Sequence, residues 1–202
     1  TVPIGTNQKV EERLNQNNKK LNIKVVSNPE FLSQGTAIHD TLYATRIIIG
    51  SEDLEAKKVM RNLYQPLLTS PYHVPYLEMD RVSAEMVKYA SNNFLALKIS
   101  YINEIANFCE KIGADIRNVT EGMSYDPRIG EKFLKAGIGY GGSCFPKDTK
   151  ALYYLSNMVG SPITTIGACI EVNEKQKIKV FEKLKQYYKG QLANKKIAIL
   201  GV

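Results

Sequence analysis

The hydrophobic pattern of the chain changes character near Asp80. Before it, short apolar runs alternate with polar or amphipathic stretches. Lys9 to Leu14 reads as a polar helix, and Ile23-Lys24-Val25-Val26 as a short strand ended by Ser27-Asn28-Pro29. Arg46-Ile47-Ile48-Ile49-Gly50 is a buried-strand pattern. Ser51 is placed to cap a helix from Glu52 to about Gln65, which Pro66 should break, with Pro71 and Pro75 interrupting the stretch beyond it. Alternation of strand and helix predicts the later part of a doubly wound α/β domain over residues 1–79.

From Asp80 to Ile112 the period becomes helical without interruption. Thirty-odd residues at about 1.5 Å each predict a helix of roughly 48 Å. Val82, Met86, Val87, Leu95, Leu97, Ile99, Ile102 and Ile105 cover much of its circumference, so burial on several sides is expected, with an interdomain role and a dimer interface. Gly113 ends this helix, Asp115 caps a short one, and Ser161-Pro162 begins a last helix running to about Tyr188. In that last helix Ile163, Ile166, Ile170, Val180, Phe181 and Leu184 form a packing stripe, and Cys169 reads as core. The closing Lys195-Lys196-Ile197-Ala198-Ile199-Leu200-Gly201-Val202 has the pattern of a buried strand followed by Gly, the opening of another βα unit. The expected division is therefore 1–79, a helical 80–190, and the start of a further domain at 191–202. The chain begins at Thr1, at what reads as the end of a strand, and contains no complete G-x-G-x-x-G, so a longer protein is expected around it.

Composition narrows the class of protein. Apolar residues make up 44% of the 202 positions, ordinary for a globular chain, and no apolar run approaches the roughly 18 residues of a membrane span. The net charge of +7 comes from lysines scattered over helix faces, with no nucleic-acid motif beside them. An anionic small-molecule ligand accounts for part of it. Three cysteines, Cys109, Cys144 and Cys169, are too few and too irregularly spaced for a disulfide framework or a zinc site, which points to a reducing cytoplasm and no metal. His39 and His73 have no partner motif.

Candidate chemistry concentrates in Gly137-Ile138-Gly139-Tyr140-Gly141-Gly142-Ser143-Cys144-Phe145-Pro146-Lys147-Asp148. Glycines at four of the six positions 137–142 allow left-handed angles and a close approach of backbone to ligand. Pro146 suits the first helical position, Leu152, Leu155 and Val159 continue at helical spacing, and Gly160 suits the helix end. Cys144 is thus expected at a helix N-terminus, where free N–H groups and Lys147 favour a thiolate, with Asp148 one turn on as a base. The same residue types also fit a plain glycine turn with an inert cysteine. Elsewhere, Thr1-Val2-Pro3-Ile4-Gly5-Thr6 follows a strand end and Asn28-Pro29-Glu30 sets a carboxylate in a turn, both also readable as turn chemistry. Lys88 and Asn92 share one face of the long helix.

Gly-Tyr-Gly-Gly-Ser-Cys-Phe-Pro-Lys-Asp resembles the catalytic-cysteine signature of the UDP-glucose/GDP-mannose dehydrogenases, and the similarity extends over nearly the whole chain. The resemblance implies two NAD-dependent oxidations of a nucleotide sugar, with UDP-glucose the expected substrate and its C6 alcohol becoming a carboxylate. It implies Cys144 as nucleophile, Lys88 and Asn92 at the developing oxyanion, and Thr1, Glu30 and Asp148 holding the hydrolytic water. NAD contacts fall on Thr1, Val2, Gln34, Cys144 and Lys147. Sugar-nucleotide contacts fall on Glu30, Phe31, Leu32, Lys88, Asn92, Arg128, Phe133, Leu134, Lys135, Gly139, Tyr140 and Gly141, with Arg128 reaching across a homodimer. Gln34 stands where the family usually has a second glutamate, and an amide can neither act as a base nor carry charge there. A sister dehydrogenase for UDP-N-acetylmannosamine or GDP-mannose, or a non-catalytic dimerisation fragment, fits the same residues.

Overall fold

The computed structural model describes residues 1–17, 21–33, 35–69 and 71–199. They form two compact units, Thr1–Asn92 and Asn93–Val202, and the boundary falls inside one long helix.

The first unit carries helices α1 (Thr6–Asn17), α2 (Ala37–Leu42) and α3 (Leu54–Leu68), strands β1 (Ile47–Gly50) and β2 (Tyr76–Met79), and the first turns of α4 (Arg81–Ile112). β1 and β2 run parallel, with Ile47 opposite Tyr76 and Gly50 opposite Met79, and α3 is the crossover between them. All four β1 residues are buried, as a strand covered on both faces requires. Ile47, Ile49 and Val74 form the core, with Met60, Tyr64 and Leu67 of α3 packed against them. Gly50 is required by space, since a Cβ there would lie 2.5 Å from that of Ala84 and 2.9 Å from the Asp80 carbonyl oxygen. The strand end can therefore approach α4 closely.

Three expectations change in this unit. Ile23–Val26 is not a strand, because side chains take its peptide groups first. Asn15 bonds both the N–H and the C=O of Ile23 at 2.9 Å, and Glu11 accepts the Val25 N–H at 2.7 Å. Only Ser27 pairs with the sheet, through an antiparallel bridge to Gly50. The cap of α3 is Asp53, whose carboxylate accepts the Ala56 N–H at 2.8 Å, while Ser51 accepts the N–H of Asp53. Pro66 lies inside the last turn of α3 rather than ending it. Strand β2, whose Tyr-Leu-Glu-Met has no clean alternation, went unpredicted.

The second unit is helical among the described residues: the rest of α4, then α5 (Ile116–Ser124), α6 (Phe145–Met158), α7 (Thr164–Lys177) and α8 (Lys179–Tyr187). Asp115 caps α5 as expected, accepting the Arg117 N–H at 2.9 Å. Ala96 of α4, Tyr140 and Cys169 of α7 form the core, with Leu97, Ile99 and Phe145 against it, and Cys169 is core as read. The single last helix is in fact two. It starts after Ile163 rather than at Ser161-Pro162, and it bends at Ile178, which joins α7 to α8. Ile166 is buried, but Val180 and Phe181 lie beyond the bend and are about half exposed, so the expected stripe does not stay on the core. Lys195–Ile199 forms no strand, since no neighbouring strand stands beside it among the described residues, and Leu200, Gly201 and Val202 lie outside them.

α4 is one helix of 32 residues, but its burial is narrower and more polar than its apolar count suggested. Asn93, Ala96, Ser100, Ile102, Asn103 and Cys109 are buried, whereas Phe94, Tyr101 and Phe108 are 63%, 51% and 61% exposed. No helix of the described residues is long and apolar enough to cross a membrane.

Candidate active site

In the first unit the sequence-predicted residues gather around one end of the sheet. A cleft of about 210 Å³ is lined by Thr1, Val2, Ser27, Asn28, Glu85 and Lys88. That is below the roughly 300–1,000 Å³ of sites enclosing a drug-sized ligand, so it suits one end of a larger molecule. Asn28 fixes the turn before Glu30: its amide donates to the Ile48 carbonyl at 3.0 Å, and its oxygen accepts the Tyr64 hydroxyl at 2.5 Å. Glu30 then accepts the Leu32 N–H at 2.8 Å and pairs with Lys88 at 3.1 Å. Lys88 itself is only 5% exposed. The Phe31 ring lies 5.3 Å from the Lys88 ammonium and 3.8 Å from the Arg46 guanidinium, so it faces two cations. Burial pushes the Glu30 carboxyl up, but the Leu32 N–H and the bonded, attracting Lys88 outweigh burial and hold it below its ordinary value of 4.5. Leu32 is exposed, Asn92 is buried on α4, and Gln34 lies outside the described residues.

The second unit presents the cysteine as expected. Cys144 is the residue before α6, its carbonyl accepting the Asp148 N–H at 2.9 Å, and its thiol is exposed 3.8 Å from the Ser143 hydroxyl. Pro146 is the second helical residue rather than the first, and Gly160 follows the helix end with φ +71°. Lys147 and Asp148 form an ion pair at 2.5 Å, in which the Asp148 side chain is 1% exposed. The ring of Phe145 is met edge-on by Tyr140 at 6.0 Å and by Phe133 at 6.2 Å. Burial and the Cys169 thiol push the Tyr140 phenol up to about 12, so it stays protonated. Leu134 is buried, Lys135 and Gly141 are exposed and Gly139 is half-buried. The Arg128 guanidinium is 88% exposed and forked onto Asp126 of its own chain. Among the described residues no group of His, Cys, Asp and Glu could hold a metal ion.

Two domain models of one family cover most of this chain. The NAD binding domain of the UDP-glucose/GDP-mannose dehydrogenase family matches residues 1–68, and its central domain matches residues 82–175. The chain belongs to the UDP-glucose/GDP-mannose dehydrogenase family. It is 47% identical over its whole length to UDP-glucose 6-dehydrogenase TuaD of Bacillus subtilis, covering 43% of that protein. To the UDP-glucose 6-dehydrogenase of Rhizobium meliloti it is 43% identical, covering 46%. The chain thus spans less than half the length of these curated relatives. Among solved structures, a UDP-glucose dehydrogenase from Pyrobaculum islandicum superposes with a TM-score of 0.88 at 37% identity, over 94% of this chain and 43% of that one.

One residue that sequence reasoning missed now stands beside the family's motifs. Glu85 is buried, and its carboxylate accepts the N–H of Gly5 at 2.6 Å and of Asn7 at 3.1 Å. It caps α1 from 80 residues away, where α1 has no acidic residue in its own first turn, and so fastens the Thr1–Gly5 loop to α4. Its only signal was the spacing of three from Lys88, which a solvated glutamate would share.

The Glu30–Lys88 pair predicts a pH dependence. A folded-state value below the unfolded one adds stability that is fully present above about pH 4.5 and is lost as pH falls through the folded value. Glu30→Gln has the shape of the protonated acid and should cost roughly 1 kcal/mol at neutral pH, the scale of a partly exposed pair. That cost should vanish in acid. Urea unfolding at both pH values checks this, and an equal difference at both would contradict it.

Proposed function

We propose that this chain is the middle portion of a UDP-glucose 6-dehydrogenase, with residues 1–79 completing an NAD-binding domain, 80–190 forming the dimerising catalytic domain and 191–202 opening a nucleotide-binding one. The observation that supports it most is the exposed Cys144 thiol at the head of α6, behind a glycine loop, in a chain 47% identical to a relative of that name. That name also favours UDP-glucose over a sister nucleotide sugar.

NAD, when bound, supplies the hydride acceptor for both oxidations. Thr1 and Val2, in a cleft that also holds Asn28, Glu85 and Lys88, are proposed NAD contacts, and Cys144, Lys147 and Gln34 complete them. The chain's own residues do the rest. The sugar C6 gives up a hydride to NAD and its hydroxyl a proton to a positioned base or water, giving an aldehyde. The Cys144 thiolate adds to C6, a C–S bond forms, and the carbonyl pair moves onto oxygen, which takes a proton. This thiohemiacetal keeps the aldehyde from escaping. Loss of a second hydride and of the O–H proton leaves a thioester. Water adds to that carbon, the C–S bond breaks, and carboxylate and thiolate separate. Lys88 and Asn92 stabilise the oxygen that gains negative charge. Thr1, Glu30 and Asp148 orient the water, whose protons pass to solvent; both carboxylates are paired with lysines. Phe31, Leu32, Arg128, Phe133, Leu134, Lys135 and the Gly139–Gly141 backbone hold the sugar nucleotide.

A second copy of the chain is the proposed occupant of the exposed face of α4. Phe94, Tyr101 and Phe108 recur every seven residues and so lie along one stripe, with Ile112 one turn beyond. Ile102, by contrast, is fully buried within its own unit, so a charge there would unfold the chain rather than separate a pair of copies.

Both tests of this reading use the full-length dehydrogenase carrying this sequence. Cys144→Ser should keep nucleotide-sugar binding and lose turnover by about 100-fold or more, the scale of a lost activated nucleophile; near-normal NADH production from UDP-glucose would reject the mechanism. Phe108→Glu should shift the protein from dimer to monomer in light scattering at micromolar concentration, and an unchanged mass would reject the stripe as the interface.

A further inference from the structure

The loop before Cys144 is irregular, yet the peptide groups of Gly137 and Tyr140 are paired. Three buried carboxamides take them up. Asn173 of α7 accepts the Tyr140 N–H at 2.7 Å and donates to the Tyr140 carbonyl at 3.0 Å, so one side chain satisfies both peptide groups of one residue. This is the pairing a neighbouring strand would give, supplied by a helix. Gln176, one turn further along α7, donates to the Gly137 carbonyl at 2.6 Å, and Asn103 of α4 accepts the Gly137 N–H at 2.8 Å. The Gln176 oxygen is itself taken by Asn107 at 2.9 Å, which fixes which way its amide points.

The segment is therefore clamped at Gly137 and again at Tyr140, and only two residues lie between the clamps. One of them, Gly139, has φ +96°, and a Cβ on it would stand 2.5 Å from the Asn173 oxygen. The close fit of loop against carboxamide thus depends on both residues. Past the second clamp the Tyr140 ring meets Phe145, the first residue of α6, and Cys144 is the residue before it. Asn173 itself is buried, and its bonds to the loop are made at Tyr140.

We propose that Asn173, seconded by Gln176 and Asn103, is a positioning residue: it sets the Gly139–Gly141 backbone where the sugar nucleotide is received. The proposal rests on the functional reading above. A carboxamide suits the task because it offers a donor and an acceptor in one plane and carries no charge that would have to be desolvated.

The test uses the full-length dehydrogenase with Asn173→Ala, Asn173→Asp and Gly139→Ala, and Asn157→Ala on the exposed side of α6 as control. In Asn173→Ala the KM for UDP-glucose should rise about tenfold, the scale of one or two lost neutral hydrogen bonds. The KM for NAD should stay within about twofold, since a loosened fold would not single out one substrate. Asn173→Asp keeps the acceptor but buries a charge against the Tyr140 carbonyl, so it should raise the KM for UDP-glucose at least as far as Asn173→Ala. Gly139→Ala keeps the carboxamide but displaces the loop and should repeat the signature, which carries the test if Asn173→Ala does not fold. An unshifted KM for UDP-glucose, or equal rises for both substrates, would overturn the proposal. Absence of wild-type turnover would instead sink the functional reading. Hydrogen exchange over residues 137–144 then decides the positioning role without substrate: faster exchange confined to that segment supports it, and unchanged exchange in Asn173→Ala overturns it.

Discussion

Peptide groups taken into a protein interior must find partners, and an irregular loop has none of its own. The Gly137–Cys144 loop meets this constraint at Gly137 and at the buried Tyr140, with side chains from two helices. It explains why α4 and α7 bury Asn103, Asn173 and Gln176 where an ordinary helix would bury leucine. It also explains why Gly139 has no room for a side chain. The same constraint acts in the first unit, where Glu85 takes the N–H groups of Gly5 and Asn7, and Asn15 and Glu11 take those of Ile23 and Val25. In each unit one loop that carries candidate chemistry is held by a buried polar side chain, Thr1–Gly5 by Glu85 and the stretch at Tyr140 by Asn173.

This pattern accounts for what the sequence disclosed. Runs such as Ile47–Ile49, the long period of α4, the Asp115 cap and the cysteine before a proline-led helix are local signals, and they were legible. The glycine loop and its cysteine were legible for the same reason, since four glycines and a helix start lie within one stretch. The false strand at Ile23–Val26 shows the limit: its residues favour a strand, but partners 8 and 14 positions away claim its backbone first. Phe94, Tyr101 and Phe108 were invisible as a separate face because apolar count does not tell which side of a helix the core occupies. Glu85 and Asn173 gave no signal that set them apart, because a buried polar residue with distant partners is spelled the same way as a solvated one.

The candidate chemistry divides between the two units. The first supplies a polar cleft with an anchored carboxylate and a buried lysine; the Leu32 N–H and that lysine hold the Glu30 carboxyl below its ordinary value. The second supplies an exposed thiol at a helix start, with a paired lysine and aspartate in the following turn. The twofold oxidation proposed above draws on both kinds of group: charge and hydrogen bonds where oxygen becomes negative, and a nucleophile that retains the intermediate aldehyde. The family to which the chain belongs makes that combination the economical reading of residues whose local patterns alone fit plainer roles.

The central claim is that Cys144 is the group that bonds to the substrate. Its thiol is exposed, whereas those of Cys109 and Cys169 are buried. The most direct measurement is stoichiometric iodoacetamide labelling of the full-length dehydrogenase, with peptide mapping and residual turnover read on the same sample. The account predicts that label falls on Cys144, that turnover is lost in proportion, and that UDP-glucose protects both. Label on Cys144 with turnover intact, or protection that falls on Cys109 or Cys169 instead, would contradict it.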